Sequence, residues 1–182
     1  MQRVHTRTFV LALAIAVAVL TNSALAAAGD VPKPLEPLAF LIGEWGGTGA
    51  GSPGQGAGTA TFSRGLQDRI IIRTSYAEYP ATATTPASRH DDLMIVFVAD
   101  DGTVSADYYD NEGHVIRYQV TVKGPGDVSF VSAIAANTPR YRLSYKAAPG
   151  GIVRGRFEVA PPGKPDAFTE YLAWDSKKSA VK

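Results

Sequence analysis

The sequence has no cysteine among its 182 residues. A disulfide framework, a thiolate metal site and a cysteine nucleophile are therefore excluded, and stability has to come from packing. Charge of one sign is also lacking, since 18 basic residues face 17 acidic ones for a formal net charge of +1. That balance excludes a strongly basic protein that grips nucleic acid by neutralising phosphates, so no nucleic-acid partner is expected. Histidine is scarce, with three residues. No apolar run approaches the roughly 20 residues that span a bilayer. Beyond Gly43 no segment keeps a helical periodicity.

What is present is globular in kind: 45% hydrophobic and 19% charged residues, with 18 Gly and 12 Pro that imply many turns. At the start, Arg3 and Arg7 precede an apolar run of 12 residues, Phe9 to Leu20, followed by Thr21, Asn22, Ser23 and Ala24-Leu25-Ala26. A basic start, a short apolar stretch and an Ala-x-Ala site are the parts of a secretory signal peptide, here residues 1–26. Cleavage after Ala26 leaves 27–182 as one domain without a transmembrane segment. It removes two positive charges, taking the formal net charge from +1 to −1. An exported bacterial protein, periplasmic or secreted, is the expectation.

After Pro32, Pro34 and Pro37, the stretch Leu35 to Ile42 is long enough for one or two helical turns, and Gly43 ends it. Short runs rich in Val, Ile, Thr, Tyr and Phe follow, about ten in all, from Glu44–Gly51 to Phe168–Asp175. Asp100-Asp101-Gly102, Asn111-Glu112-Gly113, Gly124-Pro125-Gly126 and Pro149-Gly150-Gly151 read as hairpin turns between them. Turns at this spacing make consecutive strands antiparallel. The fold class is all-β: an up-and-down barrel of about ten strands with a short N-terminal helix, since closure removes the bare edges of an open sheet. A two-sheet β-sandwich is the alternative.

Alternation marks an interior face. Tyr141, Leu143 and Tyr145 share one side of their strand, and Val153, Gly155, Phe157 and Val159 share one side of the next. Gly47, Gly49 and Gly51 fall on the same face as Trp45, so three side chains are missing from one wall, which favours an open interior. The residues expected to line it are Trp45, Ile72, Tyr76, Tyr118, Tyr141, Tyr145, Phe157 and Trp174. Core filling by the same aromatics is the alternative, but several inward Tyr hydroxyls need partners that a cavity ligand or water can supply.

The segment Leu41-Ile42-Gly43-Glu44-Trp45-Gly46-Gly47-Thr48-Gly49 is the most distinctive. A short helix leading through Gly into Gly-x-Trp resembles the opening of calycin barrels. More closely, it resembles the first strand of nitrobindin-like haem-binding barrels and of a related family of exported, lipocalin-like bacterial proteins. The resemblance implies a Trp that plugs one barrel end beneath a ligand cavity. It also implies haem iron held by a His from the C-terminal part of the barrel. No His follows His114 here, so the haem site is not carried over and no cofactor is expected. A basic residue near the Trp from the last strand is likewise implied. Phe168–Asp175 contains none, leaving Arg73, Arg154 or Arg156 for that place.

Signals for chemistry are sparse. Gly49-Ala50-Gly51-Ser52-Pro53-Gly54 matches the letters of a dinucleotide fingerprint but is interrupted by Pro53 and followed by a strand, so it reads as a flexible hairpin loop. No Gly-x-Ser-x-Gly elbow occurs, and no catalytic residue is assigned. His90, just before the fourth strand beside Asp91 and Asp92, and His114, near Asp110 and Glu112, form a candidate polar site for general-base or metal chemistry. Neither stands at ligand spacing with another His, and Asp107 to Glu112 fails the calcium-loop spacing, so no metal is expected. The leading expectation is a barrel that binds a small apolar or amphipathic ligand. A small enzyme using a His–Asp pair, a haem-binding protein of the nitrobindin-like kind that the resemblance implies, and a ligand-free envelope protein that meets a partner through its outer surface are the rivals.

Overall fold

The computed structural model describes residues 32–179; the signal-peptide reading of residues 1–26 lies outside the described residues. A 3-10 helix, Lys33–Leu41, leads into ten strands. They are β1 Gly43–Gly51, β2 Gly54–Gly65, β3 Ile70–Tyr79, β4 Ser88–Val98, β5 Val104–Asp110, β6 Val115–Gly124, β7 Asp127–Ser132, β8 Arg140–Ala148, β9 Ile152–Ala160 and β10 Thr169–Lys178. Each pairs antiparallel with the next, and β10 pairs with β1 to close the barrel. The fold is the expected up-and-down barrel rather than the sandwich.

The entry helix is 3-10 for a local reason. Pro34 sits in the first turn, where its missing N–H costs nothing, but in an α-helix the Pro37 ring would clash with the Lys33 carbonyl four residues back. Three residues per turn also stacks Leu35, Leu38 and Leu41 in one stripe, and all three are buried. The helix thereby stoppers one end of the barrel. Directly after it, Trp45 is 6% exposed, and its indole N–H donates to the Leu41 carbonyl at 2.7 Å. Ile71, Met94, Val96, Ala106, Val128 and Phe130 fill the same half of the interior.

Two boundaries differ from those expected. The Gly-rich segment after β1 is ladder rather than loop: Gly56 pairs with Gly49 and Gly54 with Gly51, leaving a two-residue turn at Ser52-Pro53. The last strand runs on to Lys178, whose ammonium lies over the Trp45 ring at 5.4 Å. A basic residue from the last strand therefore does reach the Trp, in place of Arg73, Arg154 or Arg156.

The β1 glycines do not simply leave empty wall. A Cβ at Gly47 would meet Asp175 O and Ser176 Oγ, each at 2.8 Å. One at Gly49 would meet Ala173 O at 2.6 Å and Trp174 Cβ at 2.7 Å. Bare backbone there allows β10 to come close and gives Trp174 its place.

Candidate functional site

The half of the barrel away from the helix is open. It holds a cavity of about 540 Å³ that is lined at its far end by Pro53, Tyr79, Ser88, Glu112 and His114. Leu41, Trp45 and Phe62 contribute to its floor. Six residues of β3 separate Arg73 near the floor from Tyr79 near the mouth. That is about 20 Å along a strand, or about 15 Å of depth once strand tilt is allowed for.

One wall is polar. Odd-numbered residues of β3 and even-numbered residues of β4 and β5 face inward, and register sets them in tiers. Arg73 stands beside Met94, Ser75 beside Asp92, Asp92 beside Asp110, and Ala77 beside His90. Arg73 is 5% exposed; its guanidinium donates to the Asp92 carboxylate and reaches across the barrel to the Tyr145 hydroxyl of β8. Ser75 Oγ donates to Asp92 Oδ2 at 2.6 Å. Burial alone would weaken the charge on Arg73, but Asp92 beside it more than offsets this and holds the guanidinium protonated. Buried charges cost several kcal/mol unless paired and bonded in this way.

Nearer the mouth the polar groups form a chain. His90 Nδ1 is 3.1 Å from Glu112 Oε1, and its Nε2 is 2.9 Å from the Tyr108 hydroxyl. Tyr108 in turn donates to Asp110 Oδ2 at 3.3 Å, and the same oxygen faces His114 Nδ1 at 2.9 Å. Asp110 Oδ1 accepts the backbone N–H groups of Glu112 (3.0 Å) and His114 (2.9 Å). Burial works to raise the Asp110 carboxyl, yet these donors and the His114 ring hold it below the usual carboxylate range. Burial, with Asp92 adding to it, pushes the Tyr108 phenol well up, so it stays a donor.

The facing wall is aromatic. Tyr141 stacks on Phe157 at 5.8 Å and 11°, and Phe157 meets Tyr171 edge-on at 6.0 Å. Tyr145 packs edge-on against both Trp174 (6.0 Å) and Phe62 (5.5 Å). Near the floor, Tyr118 meets Tyr108 at 6.4 Å and Phe130 at 6.3 Å.

Of the residues singled out from sequence, Trp45, Tyr118, Tyr141, Tyr145, Phe157 and Trp174 line this cavity together, and His90 and His114 stand near its mouth. His90 lies within β4 rather than before it, on the inward side with Asp92. Ile72 does not line the cavity. It alternates with inward Ile71 and Arg73 and pairs with Ile95 on the outer face. Tyr76 lies at the edge of the lining, but its register partners Thr59 and Asp91 belong to the outer face, and Arg89 covers its ring at 3.9 Å. Sequence reasoning missed the Arg73–Asp92 pair and Tyr108. The available signal was parity: Arg73 shares its side of β3 with Ile71, and Asp92 shares its side of β4 with Met94 and Val96.

Comparison with protein-family models and with curated proteins gives no match. Among solved structures, the chain is similar to the crystal structure of Rv2717c from M. tuberculosis, with 17% identity and a TM-score of 0.57, covering 83% of this chain and 100% of that one. A second likeness is to a protein of unknown function of the DUF3598 family from Nostoc punctiforme PCC 73102. It has 7% identity and a TM-score of 0.31, covers 80% of this chain and 99% of that one, and carries no argument. At 17% identity the first likeness shows the fold alone, an antiparallel barrel.

Proposed function

We propose that this barrel binds a small, largely apolar molecule in its interior and performs no covalent chemistry on it. The observation that carries this is the cavity of about 540 Å³, closed at the Trp45 end and walled by aromatic rings on one side and paired polar groups on the other. Cavities of that size with few convergent polar groups suit small-molecule ligands, and burial of apolar surface supplies the affinity. The Gly-x-Trp opening with Lys178 over the indole supports a calycin-like, lipocalin-like kinship. Native mass spectrometry of protein purified from its own host tests the function: a co-purified small molecule, lost on denaturation, is expected. A cavity that takes up no apolar probe overturns it.

The residues do not fit the haem site of the barrels the chain resembles. Both ring nitrogens of His90 are engaged, by Glu112 and Tyr108. His114 is 54% exposed, beside Asp110 and Glu112 at the rim. Titration of haemin is expected to give no sharp 1:1 Soret endpoint; such an endpoint, abolished by His90→Ala or His114→Ala, overturns that exclusion. Export is part of the same proposal, supported by Arg3, Arg7, the apolar run and Ala24-Leu25-Ala26. N-terminal sequencing should find the exported chain beginning near Ala27, and an intact Met1 contradicts it.

A second reading, acid–base catalysis near the mouth, is favoured by one observation: the continuous chain from Glu112 through His90, Tyr108 and Asp110 to His114. Turnover of a co-purified ligand, abolished by both His90→Gln and His114→Gln, would establish it. Recovery of that ligand unchanged after long incubation counts against it.

A further inference from the structure

The floor of the cavity holds a hydrogen-bond donor that the protein itself does not use. Tyr118 is 3% exposed and lines the cavity, and its hydroxyl makes no hydrogen bond among the described residues. A phenol hydroxyl that lines the cavity and has no protein partner marks a place where an acceptor fits. Burial pushes the Tyr118 phenol up, which keeps its proton in place to be donated.

We propose that the ligand is a flat, uncharged molecule with a carbonyl-type oxygen at one end, which accepts a hydrogen bond from the Tyr118 hydroxyl at the floor. This deepens the cavity-binding reading and rests on it. The absence of net charge follows from the surroundings. The Arg73 cation is already neutralised by Asp92, and the remaining lining carboxylates are Asp110 and Glu112. An anion would gain no free cation at the floor and would pass Glu112 and Asp110 on the way in. An ammonium group would have to settle against the guanidinium. Flatness follows from the opposite wall, where Tyr141 stacked on Phe157 offers a planar face and Trp174 an edge. A carbonyl oxygen accepts that donor without bringing a charge into the floor.

The test uses three naphthalenes that differ at one end: 6-propionyl-2-(dimethylamino)naphthalene, a neutral fluorescent ketone; 2-(dimethylamino)naphthalene, which lacks the acceptor; and 6-(dimethylamino)-2-naphthoate, which is anionic. Each is titrated into the wild-type protein and into its Tyr118→Phe variant, with circular dichroism confirming the fold. The ketone should bind 1:1 with blue-shifted emission and about tenfold tighter than the arene without the carbonyl, a factor typical of one buried hydrogen bond. Tyr118→Phe should remove about that factor for the ketone and leave the arene unchanged. Equal binding of ketone and arene by the wild type sinks the anchor but leaves the cavity as a binding site, and this comparison needs no variant. Tightest binding of the naphthoate sinks it too, since the Arg73 charge would then be available. Failure of all three to bind overturns the cavity reading itself.

Discussion

Trp174 lies across Gly155. A Cβ on residue 155 would overlap the six-membered ring of the indole and stand 2.6 Å from its Nε1. Register pairs Trp174 with Gly155 on one side and with Gly49 on the other, so the largest side chain of the aromatic wall is seated between two residues that have none. Gly155→Ala should therefore be an overpacking change, costing about 1–3 kcal/mol and displacing the indole. Urea titration, read beside Trp174 fluorescence, checks this; an unchanged midpoint would mean that the indole has room to spare.

Asp92 and Arg73 are both nearly excluded from water, with side chains 9% and 6% exposed. Removing one leaves the other buried and uncompensated. Asp92→Ala is expected to cost about 3–5 kcal/mol, whereas replacing both residues by apolar ones should cost much less than the sum of the single changes. A double-mutant cycle by denaturant unfolding measures the coupling.

At the stoppered end, Trp45→Ala should cost about 3–5 kcal/mol, as large aromatic deletions in cores do. Trp45→Phe keeps a ring beneath Lys178 but loses the indole N–H to the Leu41 carbonyl. It should cost less. A loss below about 1 kcal/mol for the alanine variant would show that the helix stoppers the barrel without it.

Acid should act through Asp110. Its carboxyl is held below the ordinary range in the folded protein. The stability it contributes is therefore present above about pH 4, where an unfolded Asp ionises, and is lost as pH falls through the lower folded value. Unfolding free energies measured from pH 5 down to pH 2.5 should fall more steeply for the wild type than for Asp110→Asn. Parallel curves would remove Asp110 from the account.

Between β2 and β3, Leu66, Gln67 and Asp68 all have positive φ, at +50°, +55° and +67°. This left-handed turn strains residues with a Cβ by about 1 kcal/mol or more each. Gln67→Gly should raise stability by up to about 1 kcal/mol, the relief being partly offset by the freer unfolded chain. Thermal unfolding reads the sign.

The strand count and the inward aromatics of β8 and β9 were legible because period-two alternation is a local property. The Gly-rich ladder between β1 and β2 was not, since glycine looks alike in a loop and in a close strand pair. Lys178 was missed because a polar C-terminal run carries no strand signal of its own; the ladder with Trp45 extends it. The Arg73–Asp92–Tyr145 cluster joins β3, β4 and β8, residues 72 positions apart at the extreme. Parity could show that Arg73 faces inward, but only closure of the barrel sets Tyr145 across from it. Ile72 was misplaced for the converse reason: an apolar side chain next to an inward Arg reads as core until the pleat is fixed.

The helix that seals one end makes the interior a cul-de-sac. Whatever enters does so by the rim bearing His90, His114 and Glu112, and leaves by the same way, so there is no through-traffic and no exchange from behind. A molecule that enters with its polar end leading meets the floor with that end and turns its tail outward. Its length then decides its fate. One shorter than about 15 Å, the depth implied by strand rise and tilt, is enclosed, while a longer one protrudes past the rim. On the proposed binding function, the barrel would sort molecules by reach as well as by chemistry.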